Sequence, residues 1–254
     1  MHSNHLRACV RTLSLFAAFL VAFWTTDRAQ ADVSVKVFKD IVVIGDSLAD
    51  GLHSGLYRLL KEEKSERKLS KKTKISSGLV RQDKFNWQKA IKRIAAKKKH
   101  ELAIVSFGAN DLTSFRRRGG SVHYNDKRWD GLYGERVKDV VKALKAGGMT
   151  VYWVGIPITR KNRYQKDYAR LNKVFKAAST EAGATYIDTW SAFAVKGKYS
   201  AYGKNLKGKS TKLRHTDGVH FTATGYKVYA KVVLDAIPEP MMLVAQPEVA
   251  QQGS

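Results

Sequence analysis

Five short apolar or β-branched runs alternate with amphipathic segments along the chain, and this alternation limits the possible folds more than any other feature. The runs lie at residues 41–44, 73–76, 102–107, 150–156 and 185–188. Between them, apolar residues recur at helical spacing, as Trp87, Ile91 and Ile94 do. Strands that alternate with helices form βαβ units, whose crossovers cover both faces of a parallel sheet. The sequence therefore predicts an α/β, three-layer sandwich of mainly parallel strands.

The first 31 residues have the pattern of a secretory signal peptide. Arg7 and Arg11 precede the apolar stretch Thr12 to Trp24, and Ala29-Gln30-Ala31 matches a cleavage site. We expect one compact domain at 32–238, and a disordered Pro/Gln/Ala-rich tail at 239–254. The protein is thus predicted to be exported, either to the periplasm or fully secreted. It should keep no stable membrane span after cleavage; an uncleaved anchor is the alternative.

Cysteine and histidine usage narrows the possible chemistry. Cys9 is the only cysteine, and it lies in the predicted signal peptide. Disulfides and a cysteine nucleophile are therefore not expected in the exported chain. His53, His100, His123 and His215 show no ligand spacing with nearby carboxylates, so we predict neither a metal nor a cofactor.

The chain is strongly basic, with 46 Lys and Arg against 22 Asp and Glu, a formal net charge of +24. The positive residues cluster at 61–74, 89–99, 116–118 and 196–214. Such a surface attracts polyanions. Because export argues against nucleic acid, we expect anionic polymers of the cell envelope as possible partners. The alternative is an ordinary solvated basic surface.

Ser47 lies in Gly45-Asp46-Ser47-Leu48, between an apolar run and a helical pattern. In open α/β sheets, ligands bind beyond the carboxyl ends of the strands, which is where this turn is predicted to lie. Backbone N–H groups at the start of the following helix could also stabilise an oxyanion. The alternative is structural, because Ser47 and Asp50 match a helix capping box and Asp46-Ser47 could simply cap the helix.

Asp217-Gly218-Val219-His220 supplies a carboxylate and an imidazole late in the chain. An imidazole near its ordinary pKa can take the proton of a serine hydroxyl at neutral pH. Asp217 can reach the histidine Nδ1 and hold the useful tautomer. The pair therefore predicts a base and its orienting group for Ser47.

Two further segments follow predicted strands and could contribute to an oxyanion hole. Asn110, in Gly108-Ala109-Asn110-Asp111, could donate its side-chain N–H, and Gly78 could donate a backbone N–H. Gly, Asn and Asp are also ordinary turn residues, so a purely structural role is the alternative.

Together these segments resemble the four sequence blocks of the SGNH (GDSL) hydrolase superfamily, in the same order and with similar spacing. The second block reads Ser77-Gly78-Leu79 where the superfamily often has Asn-Gly. The resemblance implies a flavodoxin-like sandwich of about five parallel strands. It also implies Ser47 as nucleophile, His220 as base and Asp217 as its partner. The oxyanion hole would comprise the backbone N–H groups of Ser47 and Gly78 and the side chain of Asn110. Residues 77–81 and 213–225 further resemble an uncharacterised bacterial periplasmic subfamily.

Arg81 and Trp129 are candidate substrate-binding residues. Arg81 follows the second block, and Trp129 lies in the aromatic- and arginine-rich stretch 112–134. An ion pair of Arg81 with Asp83, and packing of Trp129 into its own loop, are the structural alternatives.

These features favour a secreted serine esterase that cleaves small O-acyl groups, such as acetyl, through an acyl-enzyme. The substrate would be an acylated small molecule or an envelope polysaccharide. Transfer of the acyl group to a glycan hydroxyl is one alternative. A polyanion-binding protein on an inactive hydrolase scaffold is another, and a lipase or thioesterase remains open because pocket depth is not visible in a sequence.

Overall fold

The computed structural model describes residues 38–117 and 119–238, without the side chains of Arg117 and Arg163. The predicted signal peptide of residues 1–31 and the predicted tail of residues 239–254 lie outside the described residues.

The described residues form five α-helices and a set of strands that belong to one main sheet and three small hairpins. The helices are α1 (Ser47–Glu62), α2 (Trp87–Ala96), α3 (Trp129–Ala146), α4 (Asn162–Glu181) and α5 (Ala223–Asp235). The strands are β1 (Asp40–Gly45), β2 (Lys68–Thr73), β3 (Leu102–Ser106), β4 (Phe115–Arg117), β5 (Gly120–Val122), β6 (Thr150–Val154), β7 (Thr185–Ile187), β8 (Ala194–Val195), β9 (Lys198–Tyr199), β10 (Tyr202–Lys204) and β11 (Ser210–Lys212).

The main sheet has five parallel strands, as the alternation of strands and helices predicts, and their order is β2-β1-β3-β6-β7. Helix α1 packs against α5, while α2, α3 and α4 pack side by side. The two helical layers explain why β1 and β3 are buried along almost their whole length. The fold is therefore the predicted α/β/α sandwich, and the carboxyl ends of its strands lie at one edge.

The predicted position of the second strand is wrong. The strand runs from Lys68 to Thr73, whereas the sequence predicts residues 73–76; of these only Thr73 is in the strand, and Ile75 and Ser76 form a turn with Ser76 at φ 57°. Because β2 is an edge strand, its lysines can remain in solvent, so the apolar pattern of a central strand is absent.

The segments 112–134 and 196–214, which the sequence predicts as loops, contain local structure. The first holds the β4–β5 hairpin and the start of α3, and the second holds the β10–β11 hairpin and most of β8–β9. Within the described residues, no helix combines the length and apolarity that a bilayer span requires.

Candidate active site

The tight turn between β1 and α1 places Ser47 at the first position of the helix. Gly45 has φ +148°, and a Cβ there would lie 1.8 Å from the Ser106 carbonyl oxygen, so only glycine fits where β1 and β3 end. The helix cap is Asp46, whose Oδ1 accepts from the Leu48 N–H at 2.9 Å. The predicted capping by Asp46 is therefore confirmed, whereas Ser47 does not cap the helix, because its hydroxyl is directed to another partner.

That partner is His220, and the two form a continuous chain of hydrogen bonds with Asp217. Ser47 Oγ lies 2.7 Å from His220 Nε2, and His220 Nδ1 lies 2.7 Å from Asp217 Oδ2. The hydrogen-bonded residues Ser47 and His220 are separated by 173 positions in the sequence. This is the geometry that nucleophilic attack by a serine requires, with a base on the hydroxyl and a carboxylate on the far nitrogen of the base.

Both oxygens of the Asp217 carboxylate take part in hydrogen bonds, Oδ2 with the His220 ring and Oδ1 with the backbone. Its Oδ1 accepts from the backbone N–H groups of Val219 at 2.8 Å and His220 at 2.9 Å. Burial acts to raise the pKa of Asp217, but the hydrogen bonds from the His220 ring and from these two N–H groups outweigh it and hold that pKa well below its usual range. The carboxylate is therefore ionised when the imidazole needs a partner.

Neighbouring segments hold the loop that carries Asp217 and His220. The Gly218 carbonyl accepts from Thr159 Oγ1 at 2.8 Å and from the Arg160 N–H at 3.0 Å. Buried Arg214 donates through Nη2 to the Val219 carbonyl at 2.9 Å and stacks 4.1 Å from the centre of the Phe221 ring. The loop is thus tied to the segment after β6 as well as to its own flanks.

Two buried carboxylates connect the loops around Ser47. Asp46 Oδ2 accepts from the Ala109 N–H at 3.3 Å, and burial raises the pKa of Asp46 to about 7. Asp111 accepts from the N–H groups of Leu79 at 3.0 Å and Val80 at 2.9 Å, and burial raises its pKa as well. The Asp46 and Asp111 side chains therefore fix the relative positions of the segments that carry Ser47, Gly78 and Asn110.

Asn110 lies in the cavity beside Ser47, and its Nδ2 donates to the Ser77 carbonyl at 3.0 Å. An amide nitrogen carries two N–H groups, so one remains for a ligand. Gly78 packs against Asp111, and a Cβ at Gly78 would lie 2.1 Å from Asp111 Oδ1. The structure thus brings the segments of the predicted oxyanion hole together.

The cavity over Ser47 has a volume of about 390 Å³. Sequence reasoning missed one of its walls, which comes from the segment Lys161 to Tyr168 at the start of α4. The sequence signal was available, because α4 follows β6 and ligands bind beyond the carboxyl ends of parallel strands. The lining residues are Ser47, Ala109, Asn110, Leu112, Tyr124, Lys161, Tyr164, Asp167, Tyr168, Asp217, Val219 and His220.

Neither predicted substrate-binding residue lines this cavity. Trp129 is fully buried, stacks on Tyr133 and donates from Nε1 to the Thr113 carbonyl at 2.8 Å. Its predicted contact with substrate is therefore corrected to a supporting role inside the core. Arg81 forms a bidentate ion pair with Asp83 and lines a separate, neighbouring cavity.

Within residues 38–117 and 119–238, no group of three or more His, Cys, Asp or Glu side chains comes close enough to hold a metal ion.

Solved structures with this architecture include esterases, lipases and an acetyltransferase domain. One is an acetyl xylan esterase variant from Geobacillus stearothermophilus, at 17% identity and a TM-score of 0.57, covering 83% of this chain and 99% of that one. Another is the periplasmic domain of a lipopolysaccharide acetyltransferase from Salmonella ser. Paratyphi A, at 16% identity and a TM-score of 0.55, covering 78% of this chain and 83% of that one. A third is a GDSL-like lipase from Bacteroides thetaiotaomicron, at 12% identity and a TM-score of 0.54, covering 78% of this chain and 87% of that one. The fold is that of the SGNH (GDSL) hydrolases, which confirms the resemblance seen in the four sequence blocks.

A family model described as a protein of unknown function, DUF459, matches residues 40–236. The chain therefore belongs to this family. No curated protein matches it in sequence.

Proposed function

We propose that this protein is an exported serine ester hydrolase that removes small O-acyl groups, such as acetyl, from an envelope polysaccharide. The observation that carries the proposal is the hydrogen-bonded chain of Ser47, His220 and Asp217 at the floor of an open cavity. A hydroxyl bonded to an imidazole, which is in turn bonded to an ionised carboxylate, is the arrangement of an activated nucleophile.

The reaction follows from the positions of these groups. Ser47 Oγ attacks the ester carbonyl while His220 Nε2 takes its proton, and the carbonyl oxygen becomes an oxyanion. The Asn110 side chain and the N–H groups of Ser47 and Gly78 stabilise that charge. His220 then protonates the leaving alcohol, and a water molecule activated by the same imidazole releases the acid and regenerates Ser47.

The walls of the cavity favour a small acyl group on a polar substrate. Lys161 and Asp167 place opposite charges in the lining, and the hydroxyl-bearing rings of Tyr124 and Tyr164 accompany them. A long acyl chain would desolvate both charges without replacing their hydrogen bonds, which is costly. Sugar hydroxyls can instead bond to these groups.

Hydrolysis of p-nitrophenyl esters from acetyl to octanoyl tests the proposal, with Ser47→Ala as the variant and Ser54→Ala as its matched control on the same helix. Ser54 Oγ bonds to the Asp50 carbonyl and does not line the cavity. We expect acetyl to be cleaved fastest, Ser47→Ala to be inactive and Ser54→Ala to resemble the wild type. Activity that survives Ser47→Ala, or its absence for every chain length, would contradict the proposal.

Acyl transfer is the second candidate, because the same fold occurs in the periplasmic domain of the Salmonella lipopolysaccharide acetyltransferase. The side chains of His220 and Asp217 are 36% and 42% exposed, so either water or an acceptor alcohol can reach the acyl-enzyme. Addition of an acceptor oligosaccharide separates the two. Transfer predicts acylated acceptor at the expense of free acid, whereas hydrolysis predicts unchanged release of acid.

A further inference from the structure

A second cavity of about 270 Å³ lies beside the candidate active site and is lined by three arginines. We call it the arginine cavity. Asp83 is the carboxylate among its lining residues, so the charges of the lining sum to +2. The residues are Val80, Arg81, Gln82, Asp83, Thr113, Ser114, Phe115, Arg116 and Arg136.

The two cavities share one stretch of chain. Leu112 lines the cavity over Ser47, and the next residue, Thr113, lines the arginine cavity. Val80 is two residues beyond Gly78, and Thr113 is three residues beyond Asn110. Since a chain extends at most about 3.6 Å per residue, the backbone of Thr113 lies within about 11 Å of the backbone of Asn110. In the same way, the backbone of Val80 lies within about 7 Å of the backbone of Gly78. The lining of the arginine cavity therefore begins close to the segments of the proposed oxyanion hole.

Two of the arginines are already held in place. Arg81 donates to both oxygens of Asp83, at 3.0 Å each. Arg136, on α3, faces the Gln88 side chain, and its Nε lies 3.1 Å from the Gln88 oxygen in the amide orientation that satisfies both groups. Arg116 lies on β4, where it pairs with Ser121 of β5. Groups that are fixed before binding lose less conformational entropy when a ligand arrives.

The chemistry of this lining matches a sugar acid. A guanidinium presents several N–H groups in a fork that fits a carboxylate or a phosphate, and Asp83 occupies only two of the five on Arg81. Thr113, Ser114 and Gln82 supply hydrogen-bonding groups for hydroxyls. A neutral or purely apolar ligand would leave the net positive charge of the lining, which Asp83 only partly balances, without a counter-charge.

We propose that the arginine cavity binds the carboxylate or phosphate of an acidic sugar unit that neighbours the acylated unit. The inference rests on the proposed esterase function and names its substrate class as an acidic glycan. The anion would bind to Arg116, Arg136 and the remaining N–H groups of Arg81, while the ester lies over Ser47.

Calorimetric titration of the Ser47→Ala protein tests the proposal without any need for turnover. The probes are trigalacturonate, the neutral trisaccharide maltotriose and glucose 6-phosphate. We expect trigalacturonate to bind, and maltotriose to bind at least about tenfold more weakly. Glucose 6-phosphate distinguishes a phosphate from a carboxylate as the preferred anion.

Arg116→Gln/Arg136→Gln should weaken trigalacturonate binding by about tenfold or more. Arg116→Lys/Arg136→Lys, which keeps the charge but loses the fork, should weaken it less. The matched control is Lys204→Gln/Lys207→Gln, which removes the same charge from exposed positions outside both cavities. We expect this control to bind as the Ser47→Ala protein does.

Three results would overturn the proposal. The first is that neither trigalacturonate nor glucose 6-phosphate binds, and the second is that maltotriose binds as tightly as trigalacturonate. The third is that Lys204→Gln/Lys207→Gln weakens trigalacturonate binding as much as Arg116→Gln/Arg136→Gln does. A thermal melt of each variant excludes unfolding as the cause. If trigalacturonate binds as expected but no ester is cleaved by the wild type, the esterase proposal fails while the binding site stands.

Discussion

At the scale of single residues, Asp217 performs two tasks with one carboxylate. Its Oδ2 orients the His220 ring, and its Oδ1 accepts the backbone N–H groups that shape the loop. An asparagine can keep the second task through its oxygen, but its amide N–H would face His220 Nδ1. The ring would then have to place its proton on Nε2, where it could no longer accept the Ser47 proton.

Asp217→Asn is therefore expected to fold normally and to lower kcat on the order of 10³–10⁴-fold. The measurement is steady-state hydrolysis of p-nitrophenyl acetate, together with a thermal melt. Unchanged turnover would remove Asp217 from the mechanism.

Asn110→Ala tests the oxyanion hole. We expect kcat to fall about 100-fold with little change in KM, because the lost hydrogen bond strengthens only as charge develops. Gly78→Ala is a poorer test, since the added Cβ would collide with Asp111 Oδ1 and disturb the loop. A near-normal kcat for Asn110→Ala would limit that residue to its hydrogen bond with the Ser77 carbonyl.

Asp46 should make the stability of the protein depend on pH. Burial raises its pKa from 3.8 to about 7, so the folded state holds this proton more tightly than the unfolded chain. The contribution of the Asp46 proton to the free energy of unfolding is fully present below pH 4 and is lost as pH rises through 7. We expect the Tm of Asp46→Asn, measured relative to the Tm of the wild type, to be higher at pH 8 than at pH 4. A difference that does not change with pH would contradict this assignment.

The grouping of Ser47, Asp217 and His220 could be predicted from sequence because these residues lie in short, ordered motifs. The burial of Trp129 could not, because an aromatic residue in a stretch with glycines and arginines fits either a binding loop or a core position. Lys161 and Tyr164 were missed for a different reason. They lie more than 110 positions from Ser47 in the sequence; their place after a predicted strand indicates the ligand-binding edge of the sheet, but the order of the strands is what puts them beside Ser47.

At the scale of elements, the central strands and the edge strand β7 were predictable, and the other edge strand, β2, was not. The four residues from Ile41 to Ile44 are buried on both faces, so their apolar run identifies them. Strand β2 pairs with β1 along only one side, and its lysines lie in solvent, so its pattern resembles a loop. The hairpin strands have only two or three residues each, too few for a periodic pattern.

The contact between α1 and α5 depends on glycine. A Cβ at Gly55 would lie 2.1 Å from the Tyr226 carbonyl oxygen and 2.9 Å from Ala230 Cβ, so the helices would have to separate. Gly131 in α3 is a matched control, because a Cβ there meets nothing within 4 Å.

We expect Gly55→Ala to lower the free energy of unfolding by about 1–3 kcal/mol, as overpacking does. Gly131→Ala should raise it by about 0.5–1 kcal/mol, because alanine loses less backbone entropy in a helix. Urea unfolding measures both. Since α5 follows the loop that carries His220, Gly55→Ala should also reduce esterase activity, whereas Gly131→Ala should not. A stable, fully active Gly55→Ala would show that the interface tolerates the methyl group.

At the scale of the whole molecule, the net charge of +24 acts on long polymers rather than on a single site. The basic clusters at 61–74, 89–99 and 196–214 line neither cavity, so a long polyanion can contact lysines and arginines that a short ligand in a cavity does not reach. Exposed charges are screened beyond a Debye length of about 10 Å at 0.1 M salt and about 3 Å at 1 M salt. Attraction of this kind therefore weakens steeply as salt is added.

We expect the protein to bind long polygalacturonate with an affinity that falls strongly between 0.05 M and 0.5 M NaCl. We expect no binding of neutral dextran. Ser47→Ala should bind equally well, because the serine hydroxyl carries no charge. Arg116→Gln/Arg136→Gln should affect the long polymer much less than trigalacturonate, since two charges are a small part of the whole surface but most of the arginine cavity. Salt-independent binding of the long polymer would refute this surface mechanism. Equal sensitivity of the long and short ligands to the two arginine substitutions would instead assign both to the arginine cavity.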